Sequence, residues 1–160
     1  MPAMTSSYLY MVLKPKGLER ISNTLIKLIE STHIVFDSIA FTGMSGALVV
    51  PTLAFRMEKN PLVIRKPGDG SHSSRSIEGG GVDVKSYIIV DDFISSGRTI
   101  TRILEALNDF GVPPSSCKAI FLYASLDRGD QYFAQVNYVE VSIPLYTFAA
   151  PDADSNLINW

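Results

Sequence analysis

Between Gly17 and Ser31, Leu18, Ile21, Leu25, Leu28 and Ile29 recur at intervals of three and four, which lines one face of an early helix with apolar side chains. The next apolar residues come in short unbroken runs instead. Phe36 to Phe41 reads as a strand and Leu62 to Arg65 as a shorter one, with Gly46 to Glu58 between them as a helix. Pro51 either kinks that helix or stands in its first turn. Tyr87 to Val90 predicts another strand, followed by a helix from about Arg98 to Phe110 that Gly111 and Pro113 bring to an end. Ala119 to Tyr123 and Tyr138 to Val141 complete the strands. Strands alternating with helices at this spacing predict an α/β fold, a doubly wound and mainly parallel sheet with right-handed crossovers.

A chain of 160 residues with 46% apolar content is expected to form one domain, residues 1–160, that buries roughly two thirds of its unfolded surface. The net charge of -2 provides no basic field, so nucleic acid is not an expected partner. The longest apolar stretches, such as Gly46 to Phe55, contain Pro51 and fall short of the ~20 residues that cross a bilayer. Met1 to Ser7 lacks a basic start followed by an apolar run. No membrane and a cytoplasmic location are the resulting expectations. Cys117 is the single cysteine and falls in a strand, which favours a core role in a reducing compartment over a disulfide or thiolate metal site.

Chemistry concentrates in Tyr87 to Thr101. Ile88, Ile89 and Val90 show no alternation, as in a strand buried on both faces, and Asp91 and Asp92 follow where open α/β sheets bind ligands. Ser95, Ser96 and Gly97 then offer hydroxyls and exposed N–H groups ahead of a helix N-terminus, an arrangement suited to a phosphate dianion. Two acids beside it are placed to accept hydrogen bonds from vicinal hydroxyls, so the implied ligand is a phosphorylated sugar. The alternative is a buried strand-helix unit whose acids merely cap the helix. Neither a P-loop string nor Gly-x-Gly-x-x-Gly occurs.

Val90-Asp-Asp-Phe-Ile-Ser-Ser-Gly-Arg-Thr99 resembles the signature of the type I phosphoribosyltransferases, which bind 5-phosphoribosyl-1-pyrophosphate (PRPP). The resemblance implies that Asp91 and Asp92 hold the ribose hydroxyls while Ser95, Ser96, Gly97, Arg98 and Thr99 cradle the 5-phosphate. Phe41-Thr-Gly-Met-Ser-Gly-Ala47 follows the first strand and belongs at the same sheet edge. Two glycines there let backbone approach an anion, or simply make a strand-helix turn. In the family the corresponding loop receives pyrophosphate, which assigns Thr42, Gly43, Met44, Ser45 and Gly46. Val63-Ile-Arg-Lys-Pro67 ends its strand with two cations, either solvated or available to pyrophosphate. Arg-Lys at this point is similar to the orotate and adenine branches and implies pyrophosphate contacts for Arg65 and Lys66.

Residues Gly68 to Gly81, rich in Gly and Ser, have the composition of a lid. Orotate-type lids carry Lys and His near Ile-Glu-Gly. His72 and Ile77-Glu78-Gly79 match that pattern, whereas Arg75 is the lid's lone cation and no Lys stands between Gly68 and Gly81. His72 and Arg75 are thereby implied as catalytic alongside the two acids. Ser95 occupies the position where purine 6-oxo enzymes place an Asp, and Asp127-Arg128 resembles the pair that meets the orotate carboxylate, so Ser95 and Arg128 are the base-binding candidates. Arg128 also reads as a surface residue in the turn before Gly129.

The implied reaction displaces pyrophosphate from C1 of PRPP by a ring nitrogen of a nucleobase, orotate first and adenine next. Mg²⁺ would be bound mainly through PRPP, with no direct protein ligand, and a homodimer is expected from the family. Pro2 to Lys16 and Ile143 to Trp160 remain outside the sheet units and are expected to form a small hood over the base, with Tyr146, Phe148 and Trp160 stacking on a ring or packing a dimer contact. The missing lid Lys keeps a second expectation in play: a PRPP-sensing regulatory or binding protein of the same fold with little turnover.

Overall fold

The computed structural model describes residues 9–68, 75–81, 83–94, 96–124 and 135–147. Helix α1 spans Pro15–Ser31, strand β1 Ser38–Phe41, α2 Gly43–Met57, β2 Asn60–Ile64, β3 Ile77–Glu78, β4 Tyr87–Asp91, α3 Arg98–Asp109, β5 Cys117–Leu122, β6 Gln135–Tyr138 and β7 Val141–Thr147. The seven strands form one sheet in the order β3-β2-β1-β4-β5-β7-β6. Neighbours from β2 through to β7 run parallel, and the short β3 and β6 close the two edges antiparallel.

Strand periodicity sorts the core into two layers. Ile39, Phe41, Ile88, Val90, Ala119 and Phe121 face α1 and α2, where they meet Leu25, Leu28, Val49, Val50 and Leu53. Their sequence neighbours Ala40, Tyr87, Ile89, Ile120 and Leu122 pack against Ile100, Ile103, Leu104 and Leu107 of α3 on the opposite side. Every residue of β4 is buried, so this strand is covered on both faces and needs no polar alternation. Each large aliphatic side chain removed from water in these layers contributes about 1.5–3 kcal/mol. Helices on both faces of a mainly parallel sheet make the doubly wound fold that the pattern predicts. Cys117 lies in the α3-side layer as an unpaired core residue.

The end of α3 shows how the sequence stops a helix. Gly111 adopts φ 94, its N–H donates to the Asn108 carbonyl at 2.9 Å, and the Val112 N–H donates to the Leu107 carbonyl at 2.8 Å. This paired closure uses a left-handed residue that only glycine adopts without strain.

Several boundaries differ from the sequence expectation. Strand β1 begins at Ser38 rather than Phe36, β2 at Asn60 rather than Leu62 and β5 at Cys117 rather than Ala119, while Ile77 and Glu78, expected within the lid, pair with β2 as β3. Helix α2 begins at Gly43 rather than Gly46, so Gly43 to Gly46 form its first turn and not a free loop, and Pro51 stands mid-helix. Tyr138 to Val141 is not one continuous strand: Tyr138 ends β6, Val141 opens β7 opposite it, and Val139 and Glu140 turn the chain between them, with Val139 in the left-handed region at φ 53. Residues Ile143 to Thr147 belong to β7 instead of a hood, and the Tyr146 ring stacks on Phe121 at 5.1 Å. Residues 9–14 turn back onto α1, with Val12 buried in the core, and Pro15 and Lys16 open that helix. Phe148 and Trp160 lie outside the described residues. Among the described residues no helix is long and apolar enough to cross a membrane.

Candidate active site

Strands β1 and β4 deliver their C-terminal ends to one edge of the sheet, and each continues directly toward a helix there. An open cavity of ≈ 270 Å³ lies between those helices, lined by Thr42, Gly43, Met44 and Ser45, by Asp91 to Ile94, by Ser96 to Ile100, and by Lys66. It sits beyond the carboxyl ends of parallel strands.

Among the described residues, neither helix N-terminus on this cavity is capped by the side chain of its cap residue. Thr42 precedes α2 in extended backbone, and among the described residues it makes no capping bond and its buried Oγ1 has no hydrogen-bond partner. Gly97 precedes α3 with φ 74 and has no side chain to cap it. Among the described residues only a long bond from the Arg98 N–H to the Ser96 hydroxyl, at 3.5 Å, reaches this helix start, and neither helix carries an acid in its first turn. Uncapped N–H groups and the positive ends of two helix dipoles therefore border one space, which favours a ligand with two separate anionic groups. Lys66 adds a cation. Its Nζ lies 3.2 Å from where a Cβ on Gly43 would stand, so Gly43 provides both a φ of 70 and the room for the ammonium over the start of α2.

Asp91 and Asp92 stand between the two helix starts, 5% and 8% exposed. Asp91 Oδ1 accepts from the Ser45 hydroxyl at 3.1 Å and from the Asp92 N–H at 2.9 Å, and Asp92 Oδ1 accepts from the Phe93 N–H at 2.8 Å. Beyond the contact between the two carboxyls themselves, no hydrogen bond from another described residue reaches the second oxygen of either acid. Main-chain bonds lock the pair in place, because the Tyr123 and Ala124 N–H groups donate to the Asp91 and Asp92 carbonyls at 3.1 and 2.8 Å. Burial pushes the Asp91 carboxyl up to about 7, the Asp92 charge adds to the rise, and hydrogen bonds from the Asp92 N–H and Ser45 oppose it in part. Two acids held this way, each with an open oxygen, suit a pair of hydroxyls on one ligand.

Of the candidates read from the sequence, Thr42, Gly43, Met44, Ser45, Lys66, Asp91, Asp92, Ser96, Gly97, Arg98 and Thr99 come together on this cavity. Gly46 does not line it. A Cβ there would come within 2.6 Å of the Phe41 side chain, so this glycine lets α2 lie close on β1. Arg65 lines a neighbouring cavity of ≈ 440 Å³ and pairs with Glu78 at 3.2 Å. Arg75 is exposed and lines neither cavity. His72, Ser95 and Arg128 lie outside the described residues. One contributor escaped the sequence reading. Tyr123, just past the end of β5, donates from its hydroxyl to the Ser45 carbonyl at 2.8 Å and braces the first turn of α2, while Ser45, already a candidate, bridges α2 to Asp91. The available signal for Tyr123 was a phenol ending an otherwise apolar run at the ligand edge.

The sequence profile of the phosphoribosyl transferase domain matches residues 57–149, more than half of the chain. An orotate phosphoribosyltransferase of Coxiella burnetii is 29% identical over 123 residues, covering 77% of this chain and 58% of that protein. The bifunctional protein PyrR of Streptomyces coelicolor is 39% identical over 69 residues, 42% of this chain and 34% of that one. Among solved structures, Leishmania donovani UMP synthase superposes with a TM-score of 0.67 at 18% identity, over 89% of this chain and 29% of that one, a likeness of fold. The chain thus spans less than two thirds of the length of these relatives. With the profile lying across the acidic strand end and the α3 start, the chain belongs to the phosphoribosyl transferase domain family.

Proposed function

We propose that this protein transfers ribose 5-phosphate from PRPP to a nucleobase and releases pyrophosphate, with orotate as first candidate acceptor and adenine as second. The observation that carries the reading is the convergence, on one cavity, of two uncapped helix N-termini with a buried acid pair between them. PRPP has a matching order of groups: a phosphate, a diol and a pyrophosphate. In this reading the α3 start, Ser96 to Thr99, takes the 5-phosphate, the acids take the ribose hydroxyls, and Thr42 to Ser45 with Lys66 take the pyrophosphate. Relatives named orotate phosphoribosyltransferase support the order of acceptors.

The chemistry requires the C1–O bond to pyrophosphate to break as the C1–N bond to the base forms. Fixing both ends of the donor orients C1, and the α2 N-terminus with Lys66 stabilises charge growing on the leaving oxygen. The acids would bear on a divalent cation only through the ribose hydroxyls that it touches. No group of three metal-ligating side chains converges among the described residues, so Mg²⁺ would draw most of its ligands from the oxygens of PRPP. When bound there, it would neutralise charge on pyrophosphate. A homodimer is part of the same proposal.

The test is purified protein with Mg²⁺, PRPP and each nucleobase in turn, followed by pyrophosphate release. Turnover with orotate or adenine is expected. Saturable PRPP binding without turnover on any base would replace this reading by a PRPP-sensing binding protein, which the absence of Lys between Gly68 and Gly81 favours. No PRPP binding at all would remove both.

A further inference from the structure

The pleat of β2 sends Leu62 and Ile64 into the α3-side core, while Val63 packs on the α2 side, so Arg65 follows Val63 to that side. Antiparallel pairing sets Val63 opposite Glu78 and Ile64 opposite Ile77. Glu78 and Arg65 are therefore diagonal neighbours on one face, and long side chains span that gap. Arg65 Nη1 lies 3.2 Å from Glu78 Oε1, with the two side chains 21% and 42% exposed. The pair lines the ≈ 440 Å³ side cavity, which shares Gly43, Met44 and Lys66 with the acid-pair cavity. One wall separates Arg65 from the pyrophosphate position.

We infer that Glu78 is a positioning residue that holds Arg65 in the side cavity while the anion site is empty, and that pyrophosphate takes Arg65 away from it. This rests on the proposed PRPP site. Magnitudes favour the exchange. A partly exposed ion pair shifts an equilibrium by no more than about fivefold, whereas guanidinium hydrogen bonds to phosphate oxygens contribute on the order of tenfold or more. Geometry favours it too, because a guanidinium can fork onto two phosphate oxygens. Breaking the pair subtracts from the affinity for pyrophosphate, so Glu78 lowers product affinity and eases release.

Titration calorimetry with magnesium pyrophosphate and with PRPP tests this on wild type, Glu78→Gln, Arg65→Gln and the double variant. Glu78→Gln should bind pyrophosphate about two- to fivefold tighter, and the gain should vanish in the Arg65→Gln background. Glu78→Asp keeps the charge but shortens the reach, and should recover part of the same gain. A gain that persists without Arg65, or a Glu78→Gln affinity equal to or weaker than wild type while wild type saturates with both ligands, overturns the exchange and leaves the PRPP site standing. Wild type that binds neither ligand overturns the site itself and the exchange with it.

Discussion

Replacing Asp91 by Asn should stabilise the fold at pH 8 and do little for it at pH 5. The Asp91 carboxyl folds with a pKa of about 7 against an ordinary 3.8, chiefly through burial and then through the charge of Asp92. Between those values the folded state keeps a proton that the unfolded state has lost, so stability falls as pH rises and the loss is complete above the folded value. The whole gap corresponds to roughly 4 kcal/mol, and the share lying between pH 5 and pH 8 is about 1–3 kcal/mol once the proton is spread over two acids. Asn cannot ionise, and its amide oxygen still accepts from Ser45 and the Asp92 N–H, the two bonds that reach Asp91 Oδ1. Urea denaturation of both proteins at several pH values measures the difference. A relative gain of about 1–3 kcal/mol on going from pH 5 to pH 8 moves the midpoint by roughly 0.5–1.5 M, and the same variant should lose PRPP affinity. A difference between the two proteins that stays flat with pH, or shrinks as pH rises, would refute the argument that burial of this acid opposes folding.

Two other substitutions probe the frame around the acids. Gly46→Ala places a Cβ 2.6 Å from Phe41 Cβ and 2.7 Å from its Cδ2, and Phe41 is buried, so an overpacking cost of about 1–3 kcal/mol should exceed the ~1 kcal/mol gain in helix propensity. Thermal melting should fall by a few degrees, and a raised midpoint would contradict the close approach of α2 to β1. Tyr123→Phe removes the bond to the Ser45 carbonyl, which should cost about 1 kcal/mol of stability and weaken PRPP binding by roughly two- to tenfold in a calorimetric titration. Unchanged affinity would show that the first turn of α2 needs no brace from Tyr123.

The sequence was most legible where local and global preferences agree. Tyr87 to Asp91 is apolar without alternation because it lies in the middle of the sheet, and the position of Gly97 before α3 follows from its left-handed backbone. The far edge was harder. Val139 takes φ 53, a conformation that β-branched residues avoid, so its strand propensity hid the turn that Val139 and Glu140 make between Tyr138 of β6 and Val141 of β7. Pro144 lowered the strand signal of Ile143 to Thr147, yet the ladder to β5 begins only at Leu145, leaving the proline outside it. The start of α2 was misplaced for a similar reason. Gly46 has the composition of a loop, but its missing Cβ is needed for helix-sheet packing against Phe41, a long-range contact that no local pattern contains. Arg65 shows the same limit for the site, since its neighbour Glu78 is fixed by strand register thirteen positions away.

The two ends of the sheet treat the same residue type in opposite ways, and that contrast separates structure from function here. Asp37 lies at the amino-terminal edge just ahead of β1, where its Oδ2 accepts from the Lys85 and Ser86 N–H groups at 2.9 and 3.0 Å and its Oδ1 accepts from the Ser38 hydroxyl. Every oxygen is engaged, and the carboxylate ties β1 to the segment entering β4. At the other edge Asp91 and Asp92 lie buried beside one another with one oxygen each that takes no bond from a third described residue, and the buried Thr42 hydroxyl has no partner among the described residues. Holding two carboxyls largely buried side by side costs free energy that an apolar or amide residue would not. A fold selected only for stability would have no use for that arrangement at the one edge where two uncapped helices begin. The unsatisfied groups are of the kinds that a sugar phosphate would complete: hydroxyl donors for the acids and phosphate oxygens for the helix N–H groups. If binding completes them, PRPP should raise the wild-type melting temperature, and it should raise it less in Asp91→Asn, because the ligand then relieves less of what burial imposed.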